Sequence, residues 1–270
     1  MAEQPVGQPA KVLTIAGSDS GGAAGLQADL KTWTVLRVYG MSAVTAVTAQ
    51  NSVAVKAVAF LSPAFVAAQI KAVLDDYGAA AVKTGFLGQA EIAAAVAAEL
   101  SGSRVPLTVI DPVLVNHRGE AMFGQALTDA YGTALLPLAD LVTPNWREAS
   151  MLAGLPPEVW EEADAAAQCA ARLHEAGAAN VLITGRHEDD EVVDWFSDGE
   201  RLLRLSSNWL ETPNRHGSGD TLSAAVCAYV AQGMQLPEAV QAARQFTREA
   251  ILKARVWQMG AGHGPLAHFL

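Results

Sequence analysis

Short apolar runs alternate along this chain with stretches whose apolar residues recur at helical spacing, and this alternation constrains the fold more than any other feature. Lys11-Val-Leu-Thr-Ile-Ala16 is an apolar run that ends in the turn chemistry Gly17-Ser-Asp-Ser-Gly-Gly22, as a buried strand and its exit loop would. Leu26, Leu30, Trp33 and Leu36 then predict a helix over 24–37. Further strands are expected at 42–49, 53–60, 80–84, 107–110, 138–142 and 180–184. Helices are expected at 63–75, near 91–100 and, alanine-rich, over 158–176, with Pro63 tolerated in a first turn. Strands that alternate with helices build a parallel sheet covered on both faces, an α/β fold. Residues 192–196 and 202–205, joined through Ser197-Asp-Gly-Glu200, read instead as an edge hairpin, and 217–255 as helical.

Nothing divides the chain. Its 270 residues contain no linker, low-complexity segment or internal repeat, so a loose tail over 1–10 and one domain over 11–270 are expected. Hydrophobic residues make up 51% and charged residues 17%, which excludes a disordered chain. A net charge of −10 without a basic run argues against nucleic-acid or anionic-membrane binding. The uncharged stretch 38–55 is long enough to span a bilayer, but Gln50, Asn51 and its threonines argue against a membrane helix. Two distant cysteines, Cys169 and Cys227, leave no disulfide framework and suit a reducing compartment. With no signal-peptide pattern at Met1-Ala-Glu-Gln-Pro5, a cytoplasmic protein is expected.

Ligands of open α/β sheets bind beyond the carboxyl ends of the strands, which selects the loops 17–25, 50–51, 85–88, 111–119, 143–148 and 184–190. The strongest local signal lies elsewhere, in His216-Gly-Ser-Gly-Asp-Thr221 before the apolar helix 222–230. Glycines there admit a close ligand, a helix start favours an anion, and Asp220 can accept a proton beside it. The same residues also read as a turn and a helix cap. Thr143-Pro-Asn-Trp-Arg-Glu148 carries a similar ambiguity. Glu148 can reach Mg²⁺ through water, yet Asn145 and Glu148 have capping-box spacing, and taken alone the cap is favoured. Asp111, at a strand end, reads as a metal- or phosphate-side group or as a turn former. Histidines 117, 187, 216, 263 and 268 have no ligand spacing on one helix, which argues against catalytic zinc, and His174 reads as structural. There is no Gly-Lys dipeptide and no GxGxxG, so neither a Walker loop nor a dinucleotide fingerprint is present.

Read together, several motifs resemble the hydroxymethylpyrimidine/phosphomethylpyrimidine kinases of thiamine biosynthesis, within the ribokinase superfamily. They are Thr14-Ile-Ala-Gly-Ser-Asp-Ser-Gly-Gly22, Gly25-Leu-Gln-Ala-Asp-Leu-Lys31, Tyr39-Gly-Met-Ser42, Thr48-Ala-Gln-Asn51, Phe65-Val-Ala-Ala-Gln69, Asp111-Pro-Val113, Leu135-Leu-Pro-Leu138, Thr143-Pro-Asn145 with Glu148, and Gly260-Ala-Gly-His-Gly-Pro265 with His268-Phe269. The resemblance covers nearly the whole chain from residue 11. It implies a ribokinase-like three-layer α/β/α sandwich that uses ATP and Mg²⁺ to phosphorylate 4-amino-5-hydroxymethyl-2-methylpyrimidine and then its monophosphate. By motif, Gly17, Ala24, Gln50 and Val113 would line the pyrimidine pocket, with Asp29 supporting its polar edge and Phe86 at its wall. Gly217, Ser218 and Gly219 would form an anion hole beside the general base Asp220. Asp111 and Glu148 would organise Mg²⁺, while Thr143, Glu148, Thr184 and Arg186 would meet ATP. A homodimer is the expected assembly.

Three positions depart from the resembled pattern. Asp220 replaces the usual cysteine and is typical instead of ribokinases and one group of pyridoxal kinases. Thr184 replaces a lysine, with Arg186 in reach to compensate in part, and Phe86 replaces a methionine. Two other readings therefore stay open: a pyridoxal kinase, and a non-catalytic pyrimidine-binding regulator on the same scaffold.

Overall fold

A computed structural model describes residues 7–116 and 119–269; residues 1–6 of the expected tail and His117 lie outside the described residues. The strands are β1 (Lys11–Asp19), β2 (Tyr39–Gln50), β3 (Val55–Phe60), β4 (Ala81–Thr84), β5 (Thr108–Ile110), β6 (Leu141–Val142), β7 (Val181–Glu188), β8 (Glu191–Ser197) and β9 (Leu202–Asn208). They form one sheet in the order β3-β2-β1-β4-β5-β6-β7-β8-β9. Its centre, from β2 to β7, is parallel, while β3 at one edge and the β8–β9 hairpin at the other pair antiparallel. The stretch 38–55, long enough for a membrane span, is mostly β2. Among the described residues no helix is long and apolar enough to cross a membrane.

Alternate side chains along each strand point to opposite faces, and the apolar ones divide accordingly. Leu13, Ile15, Val82, Ile110 and Val142 enter one apolar cluster; Val12, Ala81, Val109 and Leu141 enter another. Helices α2 (Pro63–Asp76), α3 (Ala90–Ser101), α4 (Gln125–Ala130), α5 (Trp146–Ala153) and α6 (Ala165–Glu175) cover the first set. Helix α1 (Gly25–Val35), with α7 (Ser218–Ala231) and α8 (Leu236–Ala254), covers the second. The buried Trp33 ties α1 to α7 by donating its indole N–H to the Ala224 carbonyl at 2.8 Å. This is the expected three-layer α/β/α sandwich, with the mostly parallel sheet and the edge hairpin. Cys169 and Cys227 are buried thiols in the two different clusters.

Several expected elements differ in extent: β1 runs on to Asp19 and β7 to Glu188, where exit loops were expected from 17 and from 184, and three others are split or shortened. The helix over 158–176 is a 3-10 turn at Pro157–Glu161 followed by α6, because Glu162 is extended and the turn swings Trp160 inward to bond Ser150. The strand over 138–142 shrinks to Leu141–Val142, since Pro137 sits in a 3-10 turn that ends at Leu138. The helical stretch 217–255 is two helices, parted where Gly233 adopts φ +99° and Pro237 begins a new first turn. Helix α4 and the π-turn Tyr131–Leu135 had no counterpart in the periodicity.

Candidate active site

The chain leaves β1 for β2 on one side and later returns to β4 on the other, so β1 and β4 flank the point where strand order reverses. A crevice opens beyond the carboxyl ends of such strands. Gly17 lies in the last residues of β1, the β1 and β4 exit loops hold Ala24 and Phe86, and the neighbouring β5 exit holds Asp111 and the half-buried Val113.

Beneath the crevice lies a lysine that pattern reasoning missed. Lys83, side chain 0% exposed, donates to Asp29 Oδ1 at 2.6 Å. Its ammonium is also 3.6 Å from Asp111 Oδ2 and 3.8 Å from Asp220 Oδ1. Thr14, in register with Lys83 on the adjacent strand, donates to the other Asp29 oxygen at 2.6 Å. Burial works against the Lys83 charge, but Asp29, Asp220 and Asp111 outweigh it and hold the ammonium above its ordinary value. Burial likewise pushes Asp29 up, against the pull of Lys83, and raises Asp111. Asp29 therefore does not stand at the pocket edge where it was expected. Its carboxylate is buried beneath the site and bonded to Thr14 and Lys83, because α1 packs that face onto β1 and β4.

Helix α7 brings Asp220 to this cluster. Gly217 precedes the helix at φ +84°, and a Cβ there would fall 2.0 Å from the Ala23 carbonyl oxygen, so only glycine fits. The close approach lays the 23–24 loop against the helix start. No side chain caps α7, which leaves first-turn donors for an anion. Ser218 has already given its N–H to the Arg215 carbonyl, at 3.2 Å. Ser218 and Gly219 border a cavity of about 780 Å³ that runs between α7, α8 and the β8–β9 hairpin, with Thr184, Asp194 and Arg244 on its wall.

On the other side of Asp220, the Phe86 ring packs against Gly17, where a Cβ would sit 2.7 Å from it. Phe86 stacks with Phe60 at 6.1 Å and meets Phe123 at 5.6 Å, so its ring is fixed in an aromatic wall. Asp19 curls its own loop by accepting the N–H groups of Gly21, Ala23 and Ala24. The Gln50 amide nitrogen lies 3.0 Å from Nε2 of His216, joining the β2 exit to the α7 entry. Gly264 accepts from His216 N–H, and Ser52 receives the N–H groups of Ala261 and Gly262, so the C-terminal motif closes the same loops.

Glu148 acts as a helix cap here. Its Oε2 accepts from Asn145 N–H while the Asn145 side chain accepts from Glu148 N–H, and its Oε1 takes the N–H groups of Leu114 and Val115. Burial, with Asp111 adding to it, pushes the Glu148 carboxyl up to about 8 despite those donors. Thr143 is buried beside it in the β6 exit. Arg186 is not aimed as a free cation. It lies over Trp160 and Trp146, donates to the Trp160 carbonyl at 2.6 Å and pairs with Glu188 at 3.2 Å, bordering a shallower cleft with Arg147 and Gly185.

Residues 19–267 match the family described as phosphomethylpyrimidine kinase. The chain belongs to that family. A hydroxymethylpyrimidine/phosphomethylpyrimidine kinase of Rhizobium meliloti is 45% identical over 95% of this chain and 96% of its own. The structure of an ADP complex of Bacillus subtilis pyridoxal kinase superposes with TM-score 0.89 at 36% identity, covering 97% of this chain and 98% of that one. A phosphomethylpyrimidine kinase structure from Clostridium difficile gives 0.79 at 34% identity over 90% and 99%. Within this phosphomethylpyrimidine kinase fold, Lys83 was legible only as a charge in the apolar run Ala80-Ala-Val-Lys-Thr84, a place where unpaired lysines are rarely found.

Proposed function

We propose that this chain transfers the terminal phosphoryl group of ATP to the hydroxymethyl oxygen of 4-amino-5-hydroxymethyl-2-methylpyrimidine, and then phosphorylates the monophosphate. The observation that carries the reading is Asp220 in the first turn of the uncapped α7, directly after Ser218 and Gly219 on the cavity wall and 3.8 Å from the Lys83 ammonium. ATP occupies the cavity, with Thr184, Ser218 and Gly219 along the phosphates. The pyrimidine lies on the Phe86 side, its amino group and ring nitrogen read by Gln50, whose amide both donates and accepts. Asp220 takes the hydroxyl proton as the oxygen attacks phosphorus in line, and helix-start N–H groups stabilise the transferred group.

Magnesium fits the residues present: Asp111 and Glu148 are hard, buried oxygen donors, and burial first and Asp111 second raise Glu148. They would hold the ion through its waters, since Glu148 already serves three backbone N–H groups. Bound there, the ion would offset phosphate charge. Residues 11–270 act as one kinase domain, and two buried thiols suit a cytoplasmic setting. A homodimer is supported by apolar exposure on and beside β2 and β3: Val47 49%, Val55 55%, Val58 38% and Phe65 57%.

Asp220 and the likeness to pyridoxal kinases favour a second reading, phosphorylation of pyridoxal. ATP turnover measured with the pyrimidine, its monophosphate and pyridoxal separates the two. Turnover of pyridoxal alone would overturn the pyrimidine assignment, and turnover of none would return the chain to a binding role.

A further inference from the structure

We propose that Lys83, anchored by Asp29, is a positioning residue that holds the Asp220 carboxylate at the transfer site and ties it to Asp111; this rests on the kinase reading above. The observations are geometric. Four charged groups converge from four separate elements: Asp29 from α1, Lys83 from β4, Asp111 from the β5 exit and Asp220 from α7. A buried ion pair is weak ground for stability, because apolar residues of like volume generally serve as well. Its presence directly below the reacting groups therefore asks for another reason.

The three distances supply one. Asp29 holds the ammonium at hydrogen-bonding distance, 2.6 Å, and is itself fixed by Thr14. Its ammonium also lies within ion-pair range of Asp111 and Asp220, at 3.6 and 3.8 Å. The same Asp111 oxygen accepts from the Ser223 hydroxyl, at 2.7 Å, and Ser223 belongs to the helix that carries Asp220. Gly85 keeps the space above open: a Cβ there would meet Ala16 at 3.0 Å and would lie 3.8 Å from Asp220 Oδ1 and 3.9 Å from Lys83 Nζ.

The charge arithmetic points the same way. The proposed reaction requires two carboxylates, Asp111 and Asp220, where an anionic phosphoryl group must arrive. Without a counter-charge they would repel the nucleotide and turn away from one another. One buried ammonium, set among Asp29, Asp111 and Asp220, offsets part of that repulsion. Asp29 has no part in the chemistry; it keeps the ammonium from reaching out to bind the phosphates itself.

The test is Lys83→Met in the parent and in the Asp220→Asn background, with kcat and both KM values measured at saturating Mg²⁺. If Lys83 acts through Asp220, kcat falls by about a hundredfold in the parent with KM values kept within about threefold, and little further loss appears in the Asp220→Asn background. A parent-like kcat, or an equal fold loss in both backgrounds, would overturn the proposal. Should Lys83→Met not fold, Lys83→Met with Asp29→Asn removes one buried charge of each sign and is read by the same ratio. Failure of the substrate assignment shows separately, in the unsubstituted protein, as turnover of pyridoxal and not of the pyrimidine; the Lys83 ratio is then measured on pyridoxal. Turnover of neither by the unsubstituted protein sinks both.

Discussion

On the β8–β9 side of the cleft, Arg204 pairs with Glu188 at 3.1 Å and with Glu191 at 3.0 Å, and its side chain is 47% exposed. At the strand switch point, Lys83 pairs with Asp29 at 2.6 Å, and both side chains are 0% exposed. Distance barely separates the two groups; water does. An exposed pair is screened and contributes little, whereas removing one member of a buried pair strands its partner's charge. The wet side of the cleft can therefore adjust around a nucleotide that enters and leaves. The dry side holds the reacting groups in one arrangement.

The comparison is tested most severely at Asp220, where buried order meets the open cavity. Asp220→Asn keeps the shape and costs α7 no side-chain cap, yet cannot accept the hydroxyl proton, so turnover should fall by about a hundred- to ten-thousand-fold. Binding of ATP and pyrimidine, followed by calorimetry, should stay within about a few-fold of the parent, as groups that act only during transfer require. Full turnover in this variant would remove Asp220 as the general base.

Gln50 comes next, at the polar rim between the two regions. Gln50→Ala should weaken pyrimidine binding by about 1–3 kcal/mol, by leaving the ring's polar groups unpaired. The melting temperature should hardly move, because the lost contact within the protein is a single one, to His216. Unchanged affinity would remove Gln50 from the site.

Glu148 sharpens the contrast through pH. Its folded-state value, about 8, lies above the ordinary 4.5, so the folded protein keeps this proton where the unfolded chain has lost it. The associated stability is fully present below about pH 4.5 and is lost as pH rises through about 8. Urea titrations between pH 5 and 9 should show that decline, and Glu148→Gln should remove its share of it. Because Glu148 serves three backbone N–H groups, this variant should lower the melting temperature as well as raise the Mg²⁺ requirement. A lowered melting temperature with unaltered Mg²⁺ dependence would leave it only the structural role.

The smallest effect belongs to the exposed side. Arg204→Ala should leave the melting temperature and its salt dependence unchanged within measurement error. A clear loss would mean that solvent does not separate the two regions as argued.

Much of this was legible in the residues. Of the turn expected at 17–22, residues 17–19 prolong β1 and only 20–22 turn, while Asn145 with Glu148 has the cap its spacing announced. Asp29 and Arg186 show the limit. Each was expected to meet a ligand, and each has protein partners that the sequence did not show: Asp29 has Thr14 and Lys83, Arg186 has Trp160 and Glu188. A motif carries a residue's identity, but not the partners that packing sets beside it.

By itself, then, the sequence determined the alternation of strand and helix, and it marked the strand exits and the α7 start on which the proposed function rests. These follow from periodicity and turn chemistry, which act over a few residues. Only the tertiary structure decided that Asp29, Lys83, Asp111 and Asp220 share one buried cluster. Lys83 and Asp29 are 54 positions apart, and periodicity reports which face a side chain takes without saying what lies across from it. That answer came from the order in which the strands lie side by side.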